Sequence, residues 1–439
     1  MKRRTFLTTA AGATALAAGA IGARPQSRKS FEAGSIGGVP LAKLHDQYRK
    51  EFDEFLEFFD KHIVDRQFGG FTCSVNHDGT PINTNKTAWF EGRGIWCCSF
   101  MYNHNLARED RYLDCAKQSV DFILKHRPAG AGYWPAMYAR DGTVIDQNGS
   151  LPGDCYIAEG LAEFSRATGD KKYEDIARET LFKALAGYDD PGFKDSASPY
   201  PGARNQWYWM LFMWFGTNWL AKKPDPELEA VVDRCLDALL NHHLNPDFDL
   251  WNLVINHDLS RPSGENIAHA RLAGCGHATE ATWMIMYEAA RRRDKALFDR
   301  AAKVFKRHVE VSWDDVYGGV FNDLEDVDEN RWGLAKIFWA QAFVLIGSLQ
   351  AVEHTAAPWA GEMFARQFEY VETRCRLDRW GFPLVIDSAD RKVSALPKAS
   401  RKDIYHHPRY LMLCLEALER LVKRGGKTSG VFGEKGDVR

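Results

Sequence analysis

Apolar residues along this chain fall into two kinds of segment that take turns. One kind is amphipathic and charged, in residues 42–64, 111–126, 172–188, 227–243, 296–311 and 361–375. Within 172–188, Tyr173, Ile176, Ala177, Leu181 and Ala184 share one face while charges occupy the rest, the period of a helix exposed on one side. The other kind is apolar and aromatic on nearly every face, in residues 89–104, 155–167, 205–220, 277–291, 335–351 and 408–421. Helices of that composition are buried ones. Six exposed helices alternating with six buried ones predict an all-α (α/α)6 barrel spanning 41–423. Short connections make successive helices antiparallel, so the six inner helices run parallel and their N-termini meet at one end.

A Gly-aromatic strand signal precedes several inner helices: Phe68-Gly69-Gly70-Phe71, Gly132-Tyr133-Trp134, Tyr317-Gly318-Gly319-Val320 and Trp380-Gly381-Phe382. The first two run into Asp78-Gly79 and Asp141-Gly142, which read as tight hairpin turns. Such hairpins would wall a cleft on the end where the inner N-termini emerge. Residues 24–40 read as a polar linker and 424–439 as a disordered tail.

The ends of the chain add an address. Lys2-Arg3-Arg4-Thr5-Phe6-Leu7 and the Ala/Gly-rich run after it read as a twin-arginine export signal over residues 1–23. Its apolar run of about fifteen residues is shorter than the roughly 20 that span a bilayer. The expectation is a soluble periplasmic or secreted protein, free of the membrane once the signal is cleaved. Twin-arginine export carries folded chains, so the nine cysteines, without a CxxC or zinc spacing, read as buried free thiols. Lys plus Arg number 57 against 59 Asp plus Glu, so no global field draws nucleic acid or an anionic membrane. A neutral small molecule suits that balance, and 14 tryptophans exceed what a core needs, which suggests stacking faces for sugar rings.

Candidate chemistry gathers at the predicted inner N-termini. His277, in Gly274-Cys275-Gly276-His277-Ala278-Thr279-Glu280, and His406, in Tyr405-His406-His407-Pro408-Arg409, would share one rim although far apart in sequence. Imidazole, with an ordinary pKa of about 6.5, suits taking a proton from one face of a carbon and returning one to the other. Gly274 and Gly276 would let the backbone turn sharply before the helix, whose N-terminal dipole favours a neutral ring. Pro408 reads as the first helical residue, with His407 as N-cap or facing solvent and His406 in the loop. Glu280 lies one turn from His277 and could orient it, hold a hydroxyl or share the proton transfer. Trp89 and Arg93, four apart, would offer a ring beside a guanidinium for sugar oxygens or an enediolate. Asp154 reads as an N-cap or a substrate contact, and Trp339 as a sugar platform or a core residue. No further cluster has metal-ligand spacing; His242-His243 falls near the end of an outer helix.

These segments resemble the N-acylglucosamine 2-epimerase and cellobiose 2-epimerase family over roughly residues 69–421. The resemblance is carried by Trp89 to Trp96, Gly153-Asp154-Cys155, Gly276 to Trp283, Lys336 to Gln341, and Tyr405 to Arg409. It implies the (α/α)6 barrel, no obligatory metal or cofactor, His277 and His406 as the acid/base pair, and Arg93, Glu280, Trp283 and Trp339 around a sugar. Two departures stand out: Phe343 replaces a Glu common in the family, and Asn205-Gln206-Trp207-Tyr208-Trp209 lacks a His often found on the third inner helix. Both bear on ring opening or on the sugar accepted.

The leading expectation is a sugar 2-epimerase or aldose-ketose isomerase working through an enediolate. A glycoside hydrolase or lyase on the same barrel is the alternative, and would need a carboxylate pair, for which Asp154 with Glu280 is the nominee. A non-catalytic sugar-binding protein is the third reading, favoured by Phe343 and the Trp-rich third helix.

Overall fold

A computed structural model describes residues 34–107, 109–130, 132–376, 385–386, 402 and 404–433. The export signal, most of the linker, Trp380-Gly381-Phe382 and residues 434–439 lie outside the described residues. Among the described residues, twelve α-helices alternate around a closed double ring, the (α/α)6 barrel. The inner ring consists of α2 (Ala88–Asn103), α4 (Leu151–Thr168), α6 (Gln206–Leu220), α8 (Cys275–Arg292), α10 (Phe338–Thr355) and α12 (His406–Lys423). The outer ring is α1 (Leu41–Phe58), α3 (Asp110–Leu124), α5 (Lys171–Asp189), α7 (Pro226–Asp237), α9 (Lys295–Ser312) and α11 (Pro358–Tyr370). Each inner helix touches the next, and α12 closes back on α2.

Burial explains why the two sets segregate. In α4, every residue from Leu151 to Ser165 is buried, whereas α9 buries Phe298, Ala301, Ala302, Val304, Phe305, His308, Val309 and Ser312 and leaves the other face to water. Three outer helices, α1, α7 and α11, end in a wider π-turn, at Phe59–Ile63, Ala238–His243 and Val371–Cys375. All nine cysteines are buried.

Short strands lead directly into the inner helices. Lys86–Thr87 pairs with Met137–Tyr138 ahead of α2, Ala203–Asn205 with Val254–Asn256 ahead of α6, and Lys336–Ile337 with Val385–Ile386 ahead of α10. Asp141-Gly142 is a hairpin turn between Met137–Tyr138 and Val144–Asp146, and Asp78-Gly79 lies between bridged Val75 and Pro81; both glycines have the positive φ such turns need. The Gly-Gly signals form one joint built twice. Asp65 accepts from the backbone N–H of Gln67 and Phe68, Lys86 reaches its carboxylate at 3.2 Å and also the Gly69 carbonyl, and Glu91 accepts from the N–H of Phe71 at 3.0 Å. Asp314, Lys336 and Gln341 repeat this: Asp314 accepts from Val316 and Tyr317, Lys336 donates to it at 2.8 Å, and Gln341 accepts from Val320 at 2.9 Å. The joint bolts each turn to the start of the next inner helix.

The opposite end is sealed by buried carboxylates near the inner C-termini. Glu288 is held by Arg291 and Arg292, and Glu353 by Arg420 at 2.7 Å and Arg424 at 2.8 Å. Basic groups there also complement the negative ends of the helix dipoles.

Both predicted tails need correction at their inner ends. Residues 34–40 form a two-strand hairpin whose Ile36 enters the core, because its apolar side chain finds a place beside α11. Residues 424–433 dock at the sealed end, where Phe432 packs on Phe298 at 4.9 Å and Ser429 bonds the Glu353 carbonyl and the His354 ring.

Lys336→Met would leave Asp314 buried without its ion-pair partner, and stability should fall by about 3 to 5 kcal/mol. Thermal unfolding checks this: an unchanged Tm would show that the joint does not hold the barrel together.

Candidate functional site

Parallel packing brings the first turns of all six inner helices to one rim, and the expected residues meet there. His277 is in the first turn of α8, and His406 opens α12. Both are half-buried, and the Trp339 indole stands between them, 4.9 Å from the His277 ring centre and 6.0 Å from that of His406. Around the axis the aromatic contacts close on themselves. Trp89 meets Trp207 at 5.9 Å, Trp207 stacks on His277 at 5.9 Å and 19°, and Tyr405 links His406 (5.1 Å) to Tyr156 (5.8 Å), which returns to Trp89 at 5.2 Å. Each lies at the start of its helix except Tyr156, one turn deeper on α4.

Beneath this collar sits Arg93. Its guanidinium lies 4.1 Å from the Tyr156 ring, 4.2 Å from Tyr405 and 5.0 Å from Trp89, and it donates to the Tyr156 hydroxyl at 2.7 Å. Only 7% of it is exposed, yet among the described residues no carboxylate lies within ion-pair distance. Glu91 points away, its carboxyl engaged by Ser119 and the Phe71 N–H and pushed up to about 7 by burial. A buried cation held by a phenol and aromatic faces is poised for an oxygen that acquires negative charge.

Glu280, also on the α8 face toward the axis, forms a buried ion pair with Arg409, which donates as well to the Tyr405 hydroxyl at 3.3 Å. Deeper still, Glu159 accepts from the Trp214 indole N–H at 2.9 Å, and burial pushes its carboxyl up to about 7 against the pull of Arg409 and Arg93. Burial lowers the His277 pKa from its ordinary value, while the charges of Glu280 and Asp323 push it back up. Asp323 is raised by its own burial and lowered by His277, so the two share one electrostatic environment. A neutral imidazole at pH 7 with two carboxylates near enough to favour its protonated form is the arrangement a general base requires.

Several local expectations change. Gly274 and Gly276 do not make a sharp turn with unusual dihedrals. They permit close approach: a Cβ on Gly274 would stand 2.6 Å from the Gln206 amide, and one on Gly276 would collide with Asn322 and crowd Trp339 at 3.0 Å. Helix α12 begins at His406 with Tyr405 as N-cap, so His406 is helical rather than in a loop and Pro408 is its third residue. His407 is neither cap nor solvent-facing; it is 3% exposed and pairs with Glu51 at 2.7 Å, because the outer helix α1 covers it.

Asp154 is not the cap of α4 either. Ser150 caps that helix, and Asp154, fully buried, accepts from the Trp134 N–H at 2.9 Å and meets Lys183 at 2.9 Å. Its carboxyl, raised to about 6 by burial, fastens a turn and is closed to a ligand, which removes the carboxylate pair a hydrolase would need. Trp283 is wholly buried against Trp214, Tyr287 and Phe343, too deep to offer a sugar a face. Phe343 packs behind Trp339 and His406 and under the Arg409 guanidinium.

Sequence reasoning missed Tyr156, Trp207, Asp323 and the pairing of Arg409. Arg409 sat in a quoted motif, and its one-turn distance from Tyr405 was a usable signal. Asp323, on the turn before Leu324–Asp326, had none, since a single acidic loop residue carries no pattern.

The sequence profile of the N-acylglucosamine 2-epimerase (GlcNAc 2-epimerase) family matches residues 69–409. The chain belongs to that family. Among family relatives, the N-acylglucosamine 2-epimerase of Bos taurus is 24% identical over 406 residues, covering 88% of this chain and 93% of the relative. The cellobiose 2-epimerase of Dictyoglomus turgidum is 24% identical over 334 residues, covering 67% of this chain and 78% of its own. A crystal structure of a sugar epimerase from a ruminal bacterium shares the fold, with a TM-score of 0.71 at 17% identity over 86% of this chain and 99% of that one. The matched span runs from the first Gly-Gly joint to Arg409, so both histidines and Arg93 fall within the family's core.

Asp323→Asn removes one charge that raises the His277 pKa. The acid limb of kcat/KM should already lie below the ordinary imidazole range near 6.5 in the parent, and should move lower still in the variant. A pH profile that moves upward, or not at all, would detach Asp323 from His277.

Proposed function

We propose that this protein is a carbohydrate isomerase that epimerises a reducing sugar at C2, using His277 and His406 as its acid/base pair. The observation that carries the reading is the placement of two half-buried imidazoles on either side of Trp339, above a guanidinium caged by aromatic faces and a phenol. The sugar opens to its free aldehyde, and a neutral histidine takes the C2 proton as the carbonyl oxygen becomes an enediolate oxygen. Arg93 answers that charge, which develops only as the reaction proceeds; a donor so aimed contributes roughly 3 kcal/mol. The opposite histidine returns a proton to the other face of C2, giving the epimer, whereas return to C1 gives the ketose. Glu280, tied to Arg409, sits one turn from His277 and sets the orientation and charge of its ring. The Trp339 indole, half-exposed between the two rings, is the platform on which the flat face of the sugar rests.

Solvent deuterium incorporation at C2 tests the mechanism. His277→Ala and His406→Ala should each lose about 10²- to 10⁴-fold in exchange rate. Undiminished exchange in both would reject the assignment, and a sugar bound without any exchange would point to the non-catalytic alternative.

The N-terminal Arg3-Arg4 pattern and the apolar run behind it support export by the twin-arginine route to the periplasm or beyond. N-terminal sequencing of the protein from its own host should find a start near residue 24; a chain beginning at Met1 would refute export with cleavage.

A further inference from the structure

We propose that Glu51 and His407 are positioning residues for the epimerisation described above: together they set the rotation of α12 that carries His406 to the reacting carbon. This rests on the epimerase reading, in which His406 is one of two proton-transfer groups.

A buried carboxylate on an outer helix calls for a reason. α1 turns Leu, Tyr and Phe side chains toward the inner ring, and Glu51, 5% exposed, stands among them. Taking a carboxylate out of water is costly unless its oxygens are bonded. One oxygen, Oε1, lies 2.7 Å from His407 Nε2 and accepts from the Tyr410 hydroxyl at 3.0 Å. His407 and Tyr410 are one turn apart on α12, and their rings stack at 5.7 Å and 18°. Two bonds from one atom to successive turns fix how far α12 is rotated and how far it has slid along its axis.

His406 depends on that rotation. Consecutive helical residues point about 100° apart, so a helix that turns His407 to α1 swings His406 round to Trp339 and Tyr405. The first turn of α12 also needs an external hold. α2, α4 and α6 are capped by the side chains of Thr87, Ser150 and Asn205, whereas among the described residues α12 has no side-chain cap hydrogen bond. A first turn without a cap frays more readily. Glu51 grips it from outside through His407, and Glu280 from inside through Arg409.

The sugar platform hangs on the same node. Phe338, which directly precedes Trp339 at the start of α10, meets the His407 ring at 5.6 Å and the Tyr410 ring at 5.9 Å. The spacing of His406 and Trp339 is therefore set from one carboxylate. Glu51 and His407 are buried where α1 covers α12, so they act through His406 and do not touch the sugar.

The test uses glucose, N-acetylglucosamine and cellobiose with their C2 epimers in D₂O, each epimer followed separately. The readout is the ratio of deuterium gained at C2 by recovered sugar to epimer formed. Glu51→Met weakens only the step in which His406 gives or takes the proton. From the epimer whose C2 proton faces His277 the ratio should rise about tenfold, and from the other epimer it should fall. A mere loss of folded protein slows exchange and conversion together and leaves both ratios unchanged. Glu51→Gln, whose amide oxygen still accepts from His407 and Tyr410, should keep the parent ratios. In His406→Ala, which loses exchange as well, conversion should fall further still and the ratios should move as in Glu51→Met. Ratios unmoved in Glu51→Met, or moved in one sense from both epimers, would overturn the proposal and leave the epimerase reading standing if His406→Ala shows the opposed shifts. No exchange in the parent protein, or no opposed shifts in His406→Ala, would remove the epimerase reading and the proposal with it. Should Glu51→Met fail to fold, His407→Phe decides in its place, since it keeps a ring between Phe55 and Phe338 and loses the bond to Glu51.

Discussion

Helices that are apolar on every face must be encircled, and that constraint organises this molecule. Because each buried helix is followed by an exposed one running back, the six buried helices point the same way and present their N-termini at one rim. Unpaired N–H groups and the positive ends of six dipoles converge there. The rim therefore favours negative charge before any side chain is counted. Arg93, nine-tenths buried and with no carboxylate at ion-pair distance among the described residues, adds to the same field. The opposite end carries the complementary arrangement, with Glu288 and Glu353 each clamped by two arginines.

Buried charges in this fold divide by what they are paired with. Lys86, Lys336, Asp65, Asp154 and Asp314 are ion-paired and serve as fasteners that fix a turn to a helix start. Lys336 and Gln341 belong to a conspicuous motif, yet their work is to hold Trp339 at its post. The groups around the axis are matched less completely. Among the described residues, Arg93 has a phenol as its side-chain hydrogen-bond partner, Glu159 has an indole N–H, and His277 is drawn between burial and two carboxylates. Unequal matching is what separates a site from its scaffold, since an incompletely satisfied buried group retains free energy for a ligand or a transition state.

Family membership and geometry meet on the histidines and part on the details. The chain brings His277, His406, Arg93 and Trp339 to one rim, while Phe343 and Trp207 lie in the two segments that depart from the family resemblance. Both add aromatic surface to the collar or to the layer behind it. Phe343 backs His406 with an apolar ring, and Trp207 stacks on His277, so each histidine is confined by aromatic faces. The polar work falls to Glu280, Arg409 and Asp323.

What the sequence alone determined is the periodic part: twelve helices, their inner and outer order, the shared direction of the inner set and the meeting of His277 with His406. Periodicity states which face of each helix is buried, and alternation converts that into topology. Helix boundaries near a cap were less legible, as at Ser150 and His406, because adjacent polar residues compete for the same capping geometry. Only the tertiary structure decided which buried polar residues are fasteners and which face the axis. Asp154 and Trp283 look like site residues in the chain, but Lys183 claims one and neighbouring helices cover the other. Asp323 and Trp207 look ordinary, yet packing places them beside His277. The reason is physical: whether a side chain reaches the axis depends on the rotation of its helix and on partners from distant segments, and neither is written in local pattern.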